Sequence, residues 1–310
     1  MLYGIGFLIF RAVKSVNYNK NAKNPVVTLE VEGYGEIKIE LEPDYAPNTV
    51  ATIVHLVNNG YYDGKIFYGT DSKVVAGGME LKTEEITSAQ YDEEGNYIGP
   101  EGEEKTTKIS AEEDKLRVSD LDKTVLPYIS ESDENYEETP EAQRGDEKTD
   151  YKISINGEFV ANGFNSNTLR FEKGTVGLYR STYDAENLNK ESYNSGTSLF
   201  FIATDEDSAL NGEYAAFGRV IKGMDIVEKM LTLPLAEDVV DENGNTKEDA
   251  SAGNLSENKE ITKFANDSFP VITKATVETY GVSYDMPEYE EAFDYNQYLS
   301  DLILQYYSNQ

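Results

Sequence analysis

Cysteine is missing from this 310-residue chain, which removes a disulfide framework, a thiolate metal site and a cysteine nucleophile at once. Histidine occurs once, as His55, which argues against a Ser-His-Asp triad or a multi-histidine zinc site. Basic residues are scarce: 27 Lys+Arg stand against 58 Asp+Glu, for a net charge of −31. Nucleic-acid binding needs clustered cations to displace counterions, so that class of partner is disfavoured. Long apolar runs are lacking as well. The opening MLYGIGFLIF is the one candidate, and a bilayer span needs about 20 residues. It carries no basic n-region or small-residue cleavage site either. It reads as the tail end of a membrane anchor, as an arm packed on the domain, or as an artefact of start-site choice. An anchor would put the protein outside a bacterial cytoplasm or on its membrane; Arg11, Lys14, Lys20 and Lys23 after the run favour the cytoplasmic alternative. A hydrophobic content of 39% and a mean hydropathy of −0.56 predict a compact core with long, solvated acidic segments.

What is present is mostly β pattern. In residues 25–42, Val27, Leu29 and Val31 share one face and Ile37, Ile39 and Leu41 continue at period two, with Gly33-Tyr34-Gly35 between them. That predicts a β-hairpin. Residues 47–59 place Val50, Ile53, Val54 and Val57 at helical spacing, with Asn48 or Thr49 able to cap and Gly60 ending the run. His55 falls off that stripe and reads as an exposed surface residue. Residues 65–68, 73–76, 174–178, 198–203, 215–221 and 270–279 read as strands, residues 151–163 as a second hairpin turning at Asn156-Gly157, and residues 223–232 as a helix. Residues 81–150 hold 22 acidic and 8 basic residues, which reads as a solvated insertion with little core, or more sharply as a partner-binding flap. Residues 236–266 are polar again, with a turn at 241–245 whose glycine comes too early for a calcium-binding EF-hand loop. Beyond Pro287, Tyr295, Tyr298, Leu299, Leu302 and Tyr306 share one helical face, predicted to dock on the same domain.

Five pieces in order carry a resemblance. They are EPDYAPNTV followed by a helix and NNGYYDGKIF; Lys173 to Leu178; Ser198-Leu199-Phe200-Phe201-Ile202; Leu210-Asn211-Gly212 with Phe217-Gly218-Arg219-Val220; and Gly223 to Val227. Together they resemble the cyclophilin-type peptidyl-prolyl cis-trans isomerases. The resemblance implies a mainly β fold, a closed eight-stranded antiparallel barrel capped by two helices, over residues 25–281. Residues 80–168 and 233–268 would be loop insertions, since loop-closure entropy rises slowly with length. Residues 1–24 would be the apolar arm or anchor remnant, with attachment to a membrane through residues 1–12, and residues 282–310 an acidic helical tail.

The same resemblance assigns a proline pocket to Phe67, Val74 or Val75, Leu199, Phe201, Ala209, Leu210 and Tyr214. Its partners would be proline-containing peptides or unfolded clients, with no cofactor, metal or nucleic acid. The family's Phe-His-Arg triplet is Phe67-Tyr68-Gly69 here, so the cation that polarises the prolyl nitrogen is replaced by Gly69 and the histidine by Tyr68. Losing one preorganised electrostatic group costs about 10²–10³ in rate, so weak turnover is expected. Arg180, where the family has Asn, is the candidate replacement cation, and Lys73 a weaker one. Two further readings stand beside weak isomerase activity: a non-catalytic prolyl-peptide binding module, and a structural assembly domain.

Overall fold

The computed structural model describes residues 23–88, 104–113, 115–133, 136–183, 187–236, 251–256, 259–265 and 268–308. In chain order the elements are β1 (Val26–Val31), β2 (Gly35–Leu41), α1 (Pro47–Asn58), β3 (Ile66–Thr70), β4 (Val74–Ser88), β5 (Glu104–Glu112) and α2 (Val118–Leu121). There follow β6 (Ile153–Ser154), β7 (Thr175–Leu178), α3 (Asn189–Tyr193), β8 (Phe200–Ala203), β9 (Ala216–Lys222) and α4 (Met224–Met230). The last are β10 (Ser251–Ser256), β11 (Lys259–Lys263), β12 (Ile272–Glu278), β13 (Glu290–Glu291) and α5 (Tyr295–Ser308). The predicted opening hairpin, first helix, late strands and second helix all form.

One antiparallel sheet dominates, ordered β10-β11-β3-β4-β8-β7-β9-β2-β1-β12, with β5 paired to β4 off this path. It is not closed into a barrel, contrary to the sequence expectation. The reason lies in β3, whose five residues must serve two neighbours along one edge. Gly69 and Thr70 pair with Lys263 and Thr262 of β11. Only the other end of β3 meets the β12 side, through the single bridge Ile66↔Val271. There the Phe67 N–H donates to the Pro270 carbonyl at 2.9 Å and the Ile272 N–H to the Lys65 carbonyl at 2.8 Å.

Alternation along the strands divides the apolar residues between the two faces. On the inner face Val27, Leu29, Ile37, Ile39, Leu41, Phe67, Val75, Phe200, Ile202 and Phe217 pack with Val50, Ile53, Val54 and Val57 of α1 and Val227 and Met230 of α4. On the outer face Ile66, Tyr68, Val74, Ala76, Phe171, Tyr179, Leu199, Phe201, Leu210, Tyr214, Ala216 and Ile261 form a second buried cluster.

Four local expectations are corrected. Neither Asn48 nor Thr49 caps α1. The buried Glu158 carboxylate does so, accepting from the Asn48 N–H at 3.0 Å, the Thr49 N–H at 2.8 Å and the Thr49 hydroxyl at 2.8 Å. Burial raises the Glu158 pKa, and those same donors oppose the rise. Residues 151–163 do not form a hairpin, because Ile153 and Ser154 pair instead with Glu291 and Glu290. The acidic insertion is not all solvated. Strands β4 and β5 pair over nine residues from Glu80↔Glu112 to Ser88↔Glu104, and Leu116, Val118 and Leu121 join the inner core. Finally, α5 has no buried residue, and Leu302 and Tyr306 are exposed, so its apolar face does not dock. Among the described residues its first turns make contact, where Tyr295 stacks on Tyr183 at 4.9 Å and the Tyr298 hydroxyl accepts from the Asn187 amide at 3.3 Å.

The C-terminal segment before α5 is clasped to α1. The Asn48 side-chain amide donates to the Glu288 carbonyl at 2.8 Å and accepts the Glu288 N–H at 2.7 Å. His55 is half-buried rather than exposed, with Nε2 3.2 Å from the carbonyls of Tyr284 and Asp285. The N-terminal apolar run and the turn at 241–245 lie outside the described residues. Among the described residues, no helix is long and apolar enough to cross a membrane.

Candidate functional site

Phe201 lies at the centre of the outer cluster. It stacks on Phe171 at 5.3 Å and receives the Tyr214 ring edge-on at 5.6 Å. That stacking requires a bare backbone at Gly177, where an added Cβ would stand 2.4 Å from Phe201 and 2.7 Å from Phe171. Leu210 ends a one-turn helix opened by Asp207, whose carboxylate accepts the Ala209 N–H at 3.2 Å. Asn211 accepts the Phe171 N–H at 2.8 Å and so ties this loop to the segment that carries Phe171.

The sequence-derived set divides along the pleat. Val74, Leu199, Phe201, Leu210, Tyr214 and Tyr68 come together in the outer cluster. Phe67 and Val75 do not: they are odd-numbered neighbours of Tyr68 and Val74 on their strands, and they point into the inner core, Phe67 meeting Phe200 at 5.8 Å. Ala209 is exposed on the turn before Leu210. Sequence reasoning did not include Tyr179, Phe171 or Ile261. Phe171 and Tyr179 are legible only through their neighbours on β7, and Ile261 sits in a stretch read as polar.

Two hydroxyls in the cluster are stranded. Tyr68 Oη and Tyr214 Oη are buried and meet no hydrogen-bond partner among the described residues. Burial holds the Tyr68 phenol well above its ordinary pKa and pushes Tyr214 up to about 12, against the opposing pull of Arg180.

Arg180 adjoins the cluster without entering it. Its guanidinium lies 4.7 Å from the Tyr214 ring, 5.0 Å from Tyr193 and 5.5 Å from Phe159. Its Nε donates to the Glu213 carbonyl at 3.0 Å, and its Nη2 is 3.7 Å from the Glu213 carboxylate. The Tyr214 ring therefore contacts both this cation and Phe201. Lys73 is an exposed residue whose Nζ donates to the Glu206 carbonyl at 3.3 Å.

Gly69 is occupied ground. A Cβ built there would stand 2.3 Å from the Thr262 carbonyl oxygen and 2.8 Å from Ile261 Cγ2. Phe201, Leu210 and Ile261 are each 0% exposed, so the strand β11 and its neighbours cover the apolar surface completely. A separate cleft of about 740 Å³, bordered by Asn48, Asn156, Glu158, Asn194, Met286 and Pro287, shares no residue with the outer cluster.

A family model, cyclophilin type peptidyl-prolyl cis-trans isomerase/CLD, matches residues 26–251. The chain belongs to the cyclophilin-type peptidyl-prolyl isomerase family. A relative from Brucella suis biovar 1, named "Probable peptidyl-prolyl cis-trans isomerase", is 27% identical over 196 residues, or 63% of this chain and 66% of the relative. The chain thus spans just under two thirds of that relative's length. A peptidyl-prolyl cis-trans isomerase from Acinetobacter baylyi is 36% identical over 74 residues, 22% of this chain and 35% of the relative. Among solved structures, a Cryptosporidium parvum cyclophilin is 16% identical, with 82% of this chain and 98% of that one covered and a TM-score of 0.39.

Proposed function

We propose that this cyclophilin-family protein receives proline-containing segments of unfolded chains on the outer cluster and turns them over slowly. The supporting observation is the convergence of Phe201, Leu210, Leu199, Val74 and Tyr214 in one apolar cluster at the positions that match the family's pocket motifs. An X-Pro bond keeps partial double-bond character, with a barrier of roughly 18–20 kcal/mol, and isomerises unaided in tens to hundreds of seconds. Lowering that barrier needs no nucleophile or metal. It needs an apolar grip on the ring and a charge or donor that draws the nitrogen lone pair out of resonance.

The grip is the apolar cluster. The polarising group is the weak part. Gly69 has no side chain to offer, and Arg180 is held by Glu213 and three rings. Without the cation, rates about 10²–10³ below those of a complete site are expected. Exchange NMR on an Ala-Pro peptide tests the proposal. The expected result is a small acceleration over the spontaneous rate, lost in Phe201→Ala. An uncatalysed rate with measurable peptide binding selects the non-catalytic binding module, which the bare backbone at Gly69 favours. Absence of both overturns the site. Arg180→Ala with unchanged turnover removes the arginine from the mechanism.

A further inference from the structure

Strand β11 is attached to the sheet in an uneven way. It pairs with β3 at only two positions, Thr262↔Thr70 and Lys263↔Gly69. Immediately beyond, Phe264 is fully buried in the inner core, and its N–H donates to the Tyr68 carbonyl at 2.8 Å. Ile261, three residues earlier, is fully buried on the opposite face, in the outer cluster. The strand is therefore anchored beyond its end by Phe264 and lays Ile261 into the outer cluster. Its close approach to β3 depends on the missing side chain at Gly69.

Within the cluster this strand helps to close, the polar accounting does not balance. Nearly all buried polar groups in folded proteins find partners, yet the hydroxyls of Tyr68 and Tyr214 have none among the described residues. Both would gain partners if water or a peptide carbonyl entered. The cover is thus shallowly paired at its β3 edge, carries β10 on its other edge and is tied at its end through Leu235↔Phe264 and the Ala236 N–H to the Lys263 carbonyl. The cluster it closes holds groups that an entering ligand would satisfy.

We propose that β11 is a cis-acting lid, hinged at Phe264, that closes the outer cluster against proline-containing peptides and must lift from β3 for them to bind. As a regulation of the peptide site, this rests on the function proposed above. With the lid raised, Phe201 and Leu210 supply the apolar floor and the two tyrosine hydroxyls supply donors to peptide carbonyls. The affinity seen by a peptide is its intrinsic affinity scaled by the fraction of molecules with the lid open.

The test uses the full chain and two variants that lift the strand by different routes. Gly69→Ala places a Cβ against the Thr262 carbonyl, and Ile261→Asp places a carboxylate in an apolar cluster. Amide hydrogen exchange across residues 259–263 reads the lid directly, and titration with an Ala-Pro peptide reads the site. Both variants should exchange at least about tenfold faster across β11 and bind the peptide at least about tenfold tighter. Faster exchange without any peptide binding keeps the moving strand but removes the prolyl-peptide reading of the surface beneath it. Unchanged exchange in both variants overturns the lid and leaves the peptide site standing. Loss of the folded circular-dichroism spectrum in both variants also overturns it, because β11 would then be an integral part of the fold.

Discussion

The two faces of the sheet are built from the same strands and behave as different materials. The inner face joins aliphatic residues of seven strands to three helices, and its buried Tyr62 hydroxyl has a partner, donating to the Ser198 carbonyl at 2.7 Å. The outer face is richer in aromatic rings, leaves two hydroxyls without partners among the described residues and is closed by a strand that meets β3 at two paired positions and carries β10 on its other edge. One face fixes the fold, and the other keeps a surface that can be reopened. The difference arises residue by residue: Val75 faces in and Val74 faces out, Phe200 in and Phe201 out.

The comparison breaks if both faces respond alike to truncation. Leu41→Ala on the inner face should cost about 2–5 kcal/mol in chemical denaturation, since a helix and strands fix the cavity walls. Ile261→Ala on the outer face should cost less than that, because the strand can lift and admit water instead of leaving a void; an equal cost would mean the two faces are equally rigid. Glu158→Gln should lose about 1–2 kcal/mol, the size of a helix N-cap. The pH dependence sharpens that test. A raised carboxyl pKa in the fold makes the group's contribution greatest below its unfolded value of 4.5 and lost as pH rises through the folded value. The stability difference between wild type and Glu158→Gln should therefore vary across the window that starts near 4.5 and extends upward, and a flat difference would remove burial as the cause. The smallest effect is expected at Tyr68→Phe, neutral to about 1 kcal/mol stabilising, because the deleted hydroxyl has no hydrogen-bond partner among the described residues. A clear destabilisation there would reveal a partner for it.

The inner face was legible because its signals are local. Val27, Leu29 and Val31 alternate within one strand, and Val50, Ile53, Val54 and Val57 recur at helical spacing within one helix. The family motifs likewise pointed to Phe201 and Leu210, each in a contiguous signature, and the structure brings them into one cluster. What could not be read depends on partners far away in the chain. The carboxylate that caps α1 comes from a residue 110 positions beyond Asn48. Ile261 is a lone apolar residue between Lys259-Glu260 and Thr262-Lys263, so its stretch reads as polar until β3 is beside it. Gly69 looked like the loss of a catalytic arginine. The structure adds a steric reason for glycine there, since a backbone carbonyl occupies the space a side chain would need. Closure of the barrel failed for a related reason: β3 is too short to pair fully with both β11 and the β12 side.

The clasp at Asn48 narrows what evolution could place at that position. Its amide imitates a peptide unit, giving one hydrogen and taking another from the same residue of the tail. Aspartate would keep the acceptor and lose the donor, and leucine would lose both. The course of everything after residue 288, including a helix that buries nothing of its own, is thus moored to the body in part by a single side chain.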